Sequence, residues 1–207
     1  VIKPHGSAKL NPLFVYDKEK HDKLTQEASC LPSLVMNSSA AANAVMLGAG
    51  YFNPLKGYMN LKDTLSVAKT LHTTQGLFWP TPIINFTDDI SEIKSAKRIA
   101  LRDPNTQGHP VMAIMDVDDI ELVSDEAIQA VAKEIFGTAD PKHPGFSTFS
   151  SLGNHLISGK IEVLNFSYFK HDFPNTFRTA QEIRDEIQAR GWEKVVAFQT
   201  RNPMHRA

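Results

Sequence analysis

A single cysteine, Cys30, stands in a chain of 207 residues. One thiol cannot close an internal disulfide, which points to a reducing compartment, read here as the cytoplasm. Cys30 also has no cysteine partner for a metal motif, so it reads as a half-buried structural thiol. No apolar run approaches the roughly 20 residues that a membrane helix needs. The opening Val1-Ile-Lys-Pro-His-Gly6 carries no signal-peptide pattern. Neither sign of charge is in excess: 22 Lys plus Arg face 23 Asp plus Glu, for a net charge of −1. With no basic stripe, nucleic acid and membrane surfaces are not expected as generic partners. A small anion pocket stays open, because net charge does not report local charge. Repeats and low-complexity tracts are missing too. What is present is 42% hydrophobic and 22% charged, ordinary for a globular protein of one large or two small domains.

The first 170 or so residues alternate short helical and short strand patterns. Asp17 to Ser29 and Ser38 to Leu47 are helix-compatible, the latter stopped by Gly48 and Gly50. Leu61 to Leu71 places Leu61, Leu65 and Ala68 on one face. Ile83 to Phe86, Arg98 to Leu101, Val111 to Val117 and Lys160 to Phe166 read as strands. Ser124 caps a helix running to Phe136, with Asp125 and Glu126 in its positive first turn and Gly137 as its stop. Thr138 to Gly159 reads as loop. Phe14, Phe52, Phe78 and Phe86 read as core.

The pattern changes after Phe173-Pro174-Asn175, and a domain boundary is expected near Asp172. Thr179-Ala-Gln-Glu182 is a capping box, in which Thr and Glu exchange bonds with free N–H groups of the first turn. Ile183 and Ile187 line one face of the helix that follows, and Gly191 closes it. Val195-Val-Ala-Phe198 is an unbroken apolar run, the pattern of a buried parallel strand.

The chemistry lies in Gln199-Thr-Arg-Asn-Pro-Met-His-Arg-Ala207. Ligands of open parallel sheets bind beyond the C-terminal ends of strands. Pro203 suits the first position of a helix and Asn202 its cap, so the free N–H groups of a first turn would face an anion. Arg201 can grip a tetrahedral oxyanion with two bonds, and Gln199 can donate without charge. His205 falls in the first helical turn. The arrangement suits two anions held side by side.

This segment, Val195 to Ala207, resembles the signature of ATP sulfurylases, in which Q-x-R-N-P precedes an H-x-x-H pair. Gly50-Tyr-Phe-Asn-Pro-Leu-Lys-Gly-Tyr-Met59 resembles the family's G-x-F-x-P-L-x-G-F-M, and Trp79-Pro-Thr-Pro-Ile83 its W-P-x-P-I. Ile99-Ala-Leu-Arg-Asp103 and Phe136-Gly-Thr-Ala-Asp140, with His143-Pro-Gly145, also fit. The resemblance implies a mixed α/β fold: a PUA-like, strand-rich domain over 1–171, then the start of a Rossmann-like nucleotidyltransferase domain over 172–207. It implies that Gln199 and Arg201 hold sulfate, that Asn202 and His205 contact ATP phosphates, and that Thr200, Arg201 and Asn202 are the active-site positions. The implied reaction joins sulfate to the AMP part of ATP, giving adenosine 5′-phosphosulfate and pyrophosphate, and runs in both directions. Mg²⁺ arrives with ATP, with no tightly bound protein metal, and a homo-oligomer is expected. The sequence stops one residue short of the family's second His, so a truncated catalytic domain is expected. An RNA-binding PUA-like module and an inactive assembly fragment remain as alternatives.

Other features carry less. Gly153 to Lys160 is one residue off phosphate-loop spacing, and Ile161 replaces the Ser or Thr that would hold magnesium. Along a strand, Asp116 and Asp118 face one way and Asp119 the other, too few oxygens for a hard cation. His109 and His143 lack ligand spacing and read as loop residues.

Overall fold

The computed structural model describes residues 2–200. Its helices begin where short polar side chains cover free N–H groups. Asp17 accepts from Lys20 N–H at 2.8 Å and opens α1, Lys18–Ala28. Asn37 accepts from Ala40 N–H at 2.8 Å and opens α2, Ser38–Gly48. Asn60 opens α3, Leu61–Thr70. Ser124 opens α4, Asp125–Phe136, and Gly137 at φ 69° ends it.

A sheet of six strands forms the centre. The strands are β1 (Ser33–Val35), β2 (Gly57–Tyr58), β3 (Phe86–Thr87), β4 (Arg98–Arg102), β5 (Val111–Leu122) and β6 (His155–Val163). Their order is β1-β4-β5-β6-β2, with β3 also on β6. The β1–β4 pair is parallel and the others antiparallel. Thus β6 joins most of the sheet: β5 lies along it, β2 and β3 pair with it, and Phe14 bridges to its last residue, Val163.

Alternation along the strands decides which helix each face receives. On β4, Ile99 and Leu101 enter the cluster that includes α2 residues Ala40, Ala44 and Leu47. Ala100 and Ile114 point the other way, to Leu24 and Ala28 of α1. A third cluster joins Ile84, Phe86 and Leu156 to Ile128 and Val131 of α4. Each fully buried Ile or Leu contributes about 1.5–3 kcal/mol relative to exposure, so these faces fix the register.

Two glycines permit the strands to meet. A Cβ on Gly57 would lie 1.9 Å from the Gly159 carbonyl oxygen, and one on Gly159 would lie 2.0 Å from that of Asp116. Near the same place the β5–β6 register shifts between Val117 and Asp119. Asp118 is therefore the residue at an irregularity of the strand, so the simple alternation expected for the three aspartates does not hold there. Asp116 instead pairs with Arg98, which also donates from Nε to Glu27 at 2.6 Å and reaches Glu162 at 3.3 Å. Burial works against the Arg98 charge, but its bonds to Glu27 and Asp116 outweigh that and raise its pKa above the usual arginine value.

Several expectations are corrected. Thr138 to Gly159 is not all loop. His143 caps α5 (Pro144–Ser150), its Nδ1 accepting from Phe146 N–H at 3.2 Å, and β6 starts at His155. Gly153 and Gly159 suggest a break by composition, yet Gly159 sits inside β6 because the Asp116 carbonyl occupies the space of a side chain. The segment weighed as a phosphate loop is thus largely strand. Of Ile83 to Phe86 only Phe86 enters a strand, although Ile83 and Ile84 are buried. Lys160 to Phe166 supplies only the end of β6, which stops at Val163. Phe78 is half exposed rather than core, and Cys30 is exposed rather than half-buried.

Candidate functional site

After β6 the chain forms a four-residue turn of helix, α6 (Phe169–Asp172), and then α7 (Ala180–Ala189). The capping box at the start of α7 is complete. Thr179 N–H donates to Glu182 Oε2 at 2.7 Å, its hydroxyl donates to the same oxygen at 2.8 Å, and Glu182 N–H donates back to Thr179 Oγ at 3.3 Å. Thr179 is buried, yet no residue within α7 is. The helix is therefore held to the sheet domain at its N-terminal end. Ala180 N–H donates to Ala49 O at 2.9 Å, and Tyr51 Oη donates to Arg178 O at 2.8 Å. Arg184 reaches the Ile2 carbonyl one turn further on.

The Thr179 backbone N–H, followed by its hydroxyl, holds the Glu182 carboxyl below its ordinary pKa of 4.5. A depressed folded value means that this carboxylate stabilises the cap fully above that ordinary value. The contribution fades as pH falls through the folded value. Glu182→Gln keeps a capping oxygen without charge. The wild type is expected to melt higher than this variant near neutral pH, and the two to converge in acid below the usual carboxylate range. A melting difference independent of pH would contradict that.

Past α7, Gly191 takes φ 64° and Trp192 N–H returns to Ile187 O, with the Arg190 guanidinium 4.8 Å from the Trp192 ring centre. The expected strand Val195 to Phe198 does not form: Val196 is 93% exposed and Phe198 82%. A parallel strand needs neighbours for its backbone groups and both its faces. Each of the six strands among the described residues pairs within the first sheet, and none reaches this segment. Gln199 and Thr200 are exposed and in neither helix nor strand. Arg201, Asn202 and His205 lie outside the described residues.

One cleft among the described residues holds about 730 Å³, within the range of small-molecule sites. The N-terminal arm, Tyr51, the Ile183–Ile187 face of α7, Trp192 and Val195 enclose it, and neither Gln199 nor Thr200 lines it. A smaller, more polar cleft of about 410 Å³ lies over the β2–β6 junction, near Lys56, Asp63, Asp118 and Lys160. Among the described residues no three His, Cys, Asp or Glu side chains come together as metal ligands, and no helix is long and apolar enough to cross a membrane. His109 hydrogen-bonds through Nδ1 to Asp103 O at 2.8 Å in a turn. Sequence reading found the Thr179–Glu182 box. It missed Tyr51, whose partner is 127 residues away and leaves no local signal.

A mixed sheet with helices on both faces, and a further helix tied to the turn after α2, is a strand-rich α/β module. The chain belongs to the PUA-like domain family, whose family model matches residues 2–166. Residues 174–207 match the ATP-sulfurylase family model. Curated relatives named sulfate adenylyltransferase align with all of the chain. Those of Allochromatium vinosum and Alcanivorax borkumensis are each 58% identical over 207 residues, covering 100% of this chain and 52% of the relative. That of the Riftia pachyptila sulfur-oxidizing endosymbiont is 51% identical and covered over 47% of its length. The chain thus spans about half the length of the curated relatives it matches. Among solved structures, the hexameric APS kinase from Thiobacillus denitrificans superposes with a TM-score of 0.74 at 27% identity, over 100% of this chain and 35% of that one. The resemblance first read from short segments therefore extends along the whole sequence.

Proposed function

We propose that this chain works as part of a sulfate adenylyltransferase, converting MgATP and sulfate to adenosine 5′-phosphosulfate and pyrophosphate. The observation that carries this reading is 58% identity, without a gap in coverage, to relatives of that name, together with the Gln199-Thr-Arg-Asn-Pro-Met-His205 motif. The reading divides the chain into a PUA-like domain, 1–171, and the start of a nucleotidyltransferase domain, 172–207. Family matches over 2–166 and 174–207 support that division, as does the break at Phe173-Pro174. The hexameric neighbour supports a homo-oligomer, and the single cysteine supports a cytoplasmic setting.

In this reading a sulfate oxygen attacks the α-phosphorus in line. The new S–O–P linkage forms as the bond from the α-phosphorus to the bridging oxygen breaks, and pyrophosphate leaves with the electron pair. No protein nucleophile takes part, so catalysis is positioning and charge stabilisation. Gln199 and Arg201 hold sulfate, Asn202 and His205 hold the ATP phosphates, and Thr200 orients its neighbours. Two unit charges about 4 Å apart repel by roughly 4 kcal/mol at an effective dielectric near 20, so a fixed cation between the two anions is decisive.

The test is pyrophosphate-dependent formation of ATP from adenosine 5′-phosphosulfate, using a protein that carries this sequence at the full length of its relatives. ATP formed in proportion to enzyme is the expected result. A folded protein of that length with no turnover in either direction would remove the assignment.

A further inference from the structure

We infer that the polar cleft over the β2–β6 junction is a second ligand site, suited to a small phosphate monoester that also carries hydrogen-bond donors. The cleft holds about 410 Å³, room for a molecule of that size. Neither Gln199 nor Thr200 lines it, and the proposed reaction makes no use of it. Three backbone segments converge there because two of them carry glycine at the crossing. Gly57 pairs with Lys160, and Ile161 N–H donates to Lys56 O at 3.0 Å, so Lys56 and Lys160 leave adjacent backbones. A Cβ on Gly159 would lie 3.1 Å from the Asp118 backbone nitrogen, which sets Asp118 against the same crossing. The register shift between Val117 and Asp119 leaves Asp118 out of the strand pairing.

Among the described residues, neither the Lys56 nor the Lys160 ammonium group has an ion pair or a hydrogen bond, and the Asp118 carboxylate has none. Asp63, also in the lining, is already engaged: its Oδ1 accepts from Thr74 N–H at 2.8 Å and from the Thr74 hydroxyl at 2.7 Å. Ser158 lines the cleft too, two residues before Lys160. It is 2% exposed, and its Oγ has no hydrogen-bond partner among the described residues. A buried hydroxyl left unpaired is costly, so native proteins seldom keep one without a group that completes it. These side chains select the ligand. Two ammonium groups on adjacent strands repel, and a phosphate dianion matches both charges while accepting from Lys56, Lys160 and the Ser158 hydroxyl. Phosphate by itself would meet Asp118 as a like charge. A carboxylate only accepts, so a donor on the same molecule, such as a sugar hydroxyl, turns that repulsion into a bond.

The experiment is calorimetric titration of a protein of the relatives' full length with ribose 5-phosphate, inorganic phosphate and ribose at low salt. Ribose 5-phosphate is expected to bind with a Kd of about 1 mM or below, at least about tenfold tighter than inorganic phosphate, and ribose not at all. Lys56→Gln and Lys160→Gln, both at exposed positions, are each expected to weaken that binding about tenfold, the effect of losing one charge-assisted bond. Asp118→Ala is expected to remove the advantage of ribose 5-phosphate over inorganic phosphate, and to leave inorganic phosphate bound at least as tightly. Arg201→Ala is expected to change none of these values, which separates the cleft from the proposed sulfate site. A folded wild type that does not bind ribose 5-phosphate, or binds inorganic phosphate equally well, overturns the inference. So does an affinity that both lysine variants retain, or one that Arg201→Ala abolishes. Each of those results leaves the reaction reading standing, because that reading is judged by turnover.

Discussion

Arg201→Ala, in a protein of the relatives' full length, is expected to lower kcat/KM for sulfate activation by about 10²–10³-fold, the usual cost of removing one charge-stabilising donor. In the proposed reaction two anions approach each other, and the cationic residue between Gln199 and Asn202 in the sequence is Arg201. A guanidinium offers two parallel N–H donors to an oxyanion, while an ammonium is a point charge on a flexible stem. Arg201→Lys is therefore expected to recover only a small part of the loss. Steady-state rates in the ATP-forming direction, with the melting temperature as a control for folding, measure both variants. A loss below about tenfold, or full rescue by lysine, would be incompatible with bidentate anion recognition at this position.

Gly57→Ala is expected to have a large effect on stability. The added methyl would sit 1.9 Å from the Gly159 carbonyl oxygen, a main-chain atom that no rotamer change can move. The β2–β6 pair must open or the strand must bend. Either response sacrifices bonds between β2 and β6. A cost above about 3 kcal/mol is expected, in the range reserved for named structural faults. For a chain of this size that lowers the melting temperature by about 10 °C. Gly159→Ala meets the Asp116 carbonyl at 2.0 Å, and its φ of 154° adds strain, so it should be at least as damaging. Gly76→Ala is a useful contrast: nothing lies within 4 Å of that Cβ, so only the strain of its φ of 81° is felt. Thermal unfolding of the three variants tests the ordering, and a Gly57→Ala variant as stable as Gly76→Ala would show that the strands are not so tightly apposed.

The parts of this fold written in local chemistry were legible in the sequence. Ser124, Gly137 and the Thr179–Glu182 pair act through neighbours a few residues away, so caps and stops could be read directly. Strands Arg98 to Leu101 and Val111 to Val117 were visible because their apolar side chains fill both faces of a buried sheet. Elements set by distant contacts were not. Gly159 looks like a break until the Asp116 carbonyl is seen above it, which hid the first half of β6. His143 became a cap only because its ring turns back to Phe146 N–H, a role rarely given to histidine. Val195 to Phe198 has the composition of a buried strand, but composition supplies no neighbour to pair with. For the candidate site the motif was legible as a string of residue types. The attachment of α7 to the sheet domain was not, because Tyr51 and Arg178 are distant in sequence and meet only in space.

The place of β6 in the sheet has a consequence for the order of events during synthesis. Phe14, β2, β3 and β5 all precede it along the chain, and all of them complete their pairing on it. Until residues 155–163 are made, those segments have helices to form but no common strand on which to assemble. Until then the nascent chain carries apolar strands with open edges, a condition that favours association with other chains. Closure comes late and joins distant parts of the sequence at once, so the rate of folding is governed by the search for β6 rather than by the fast local formation of its helices.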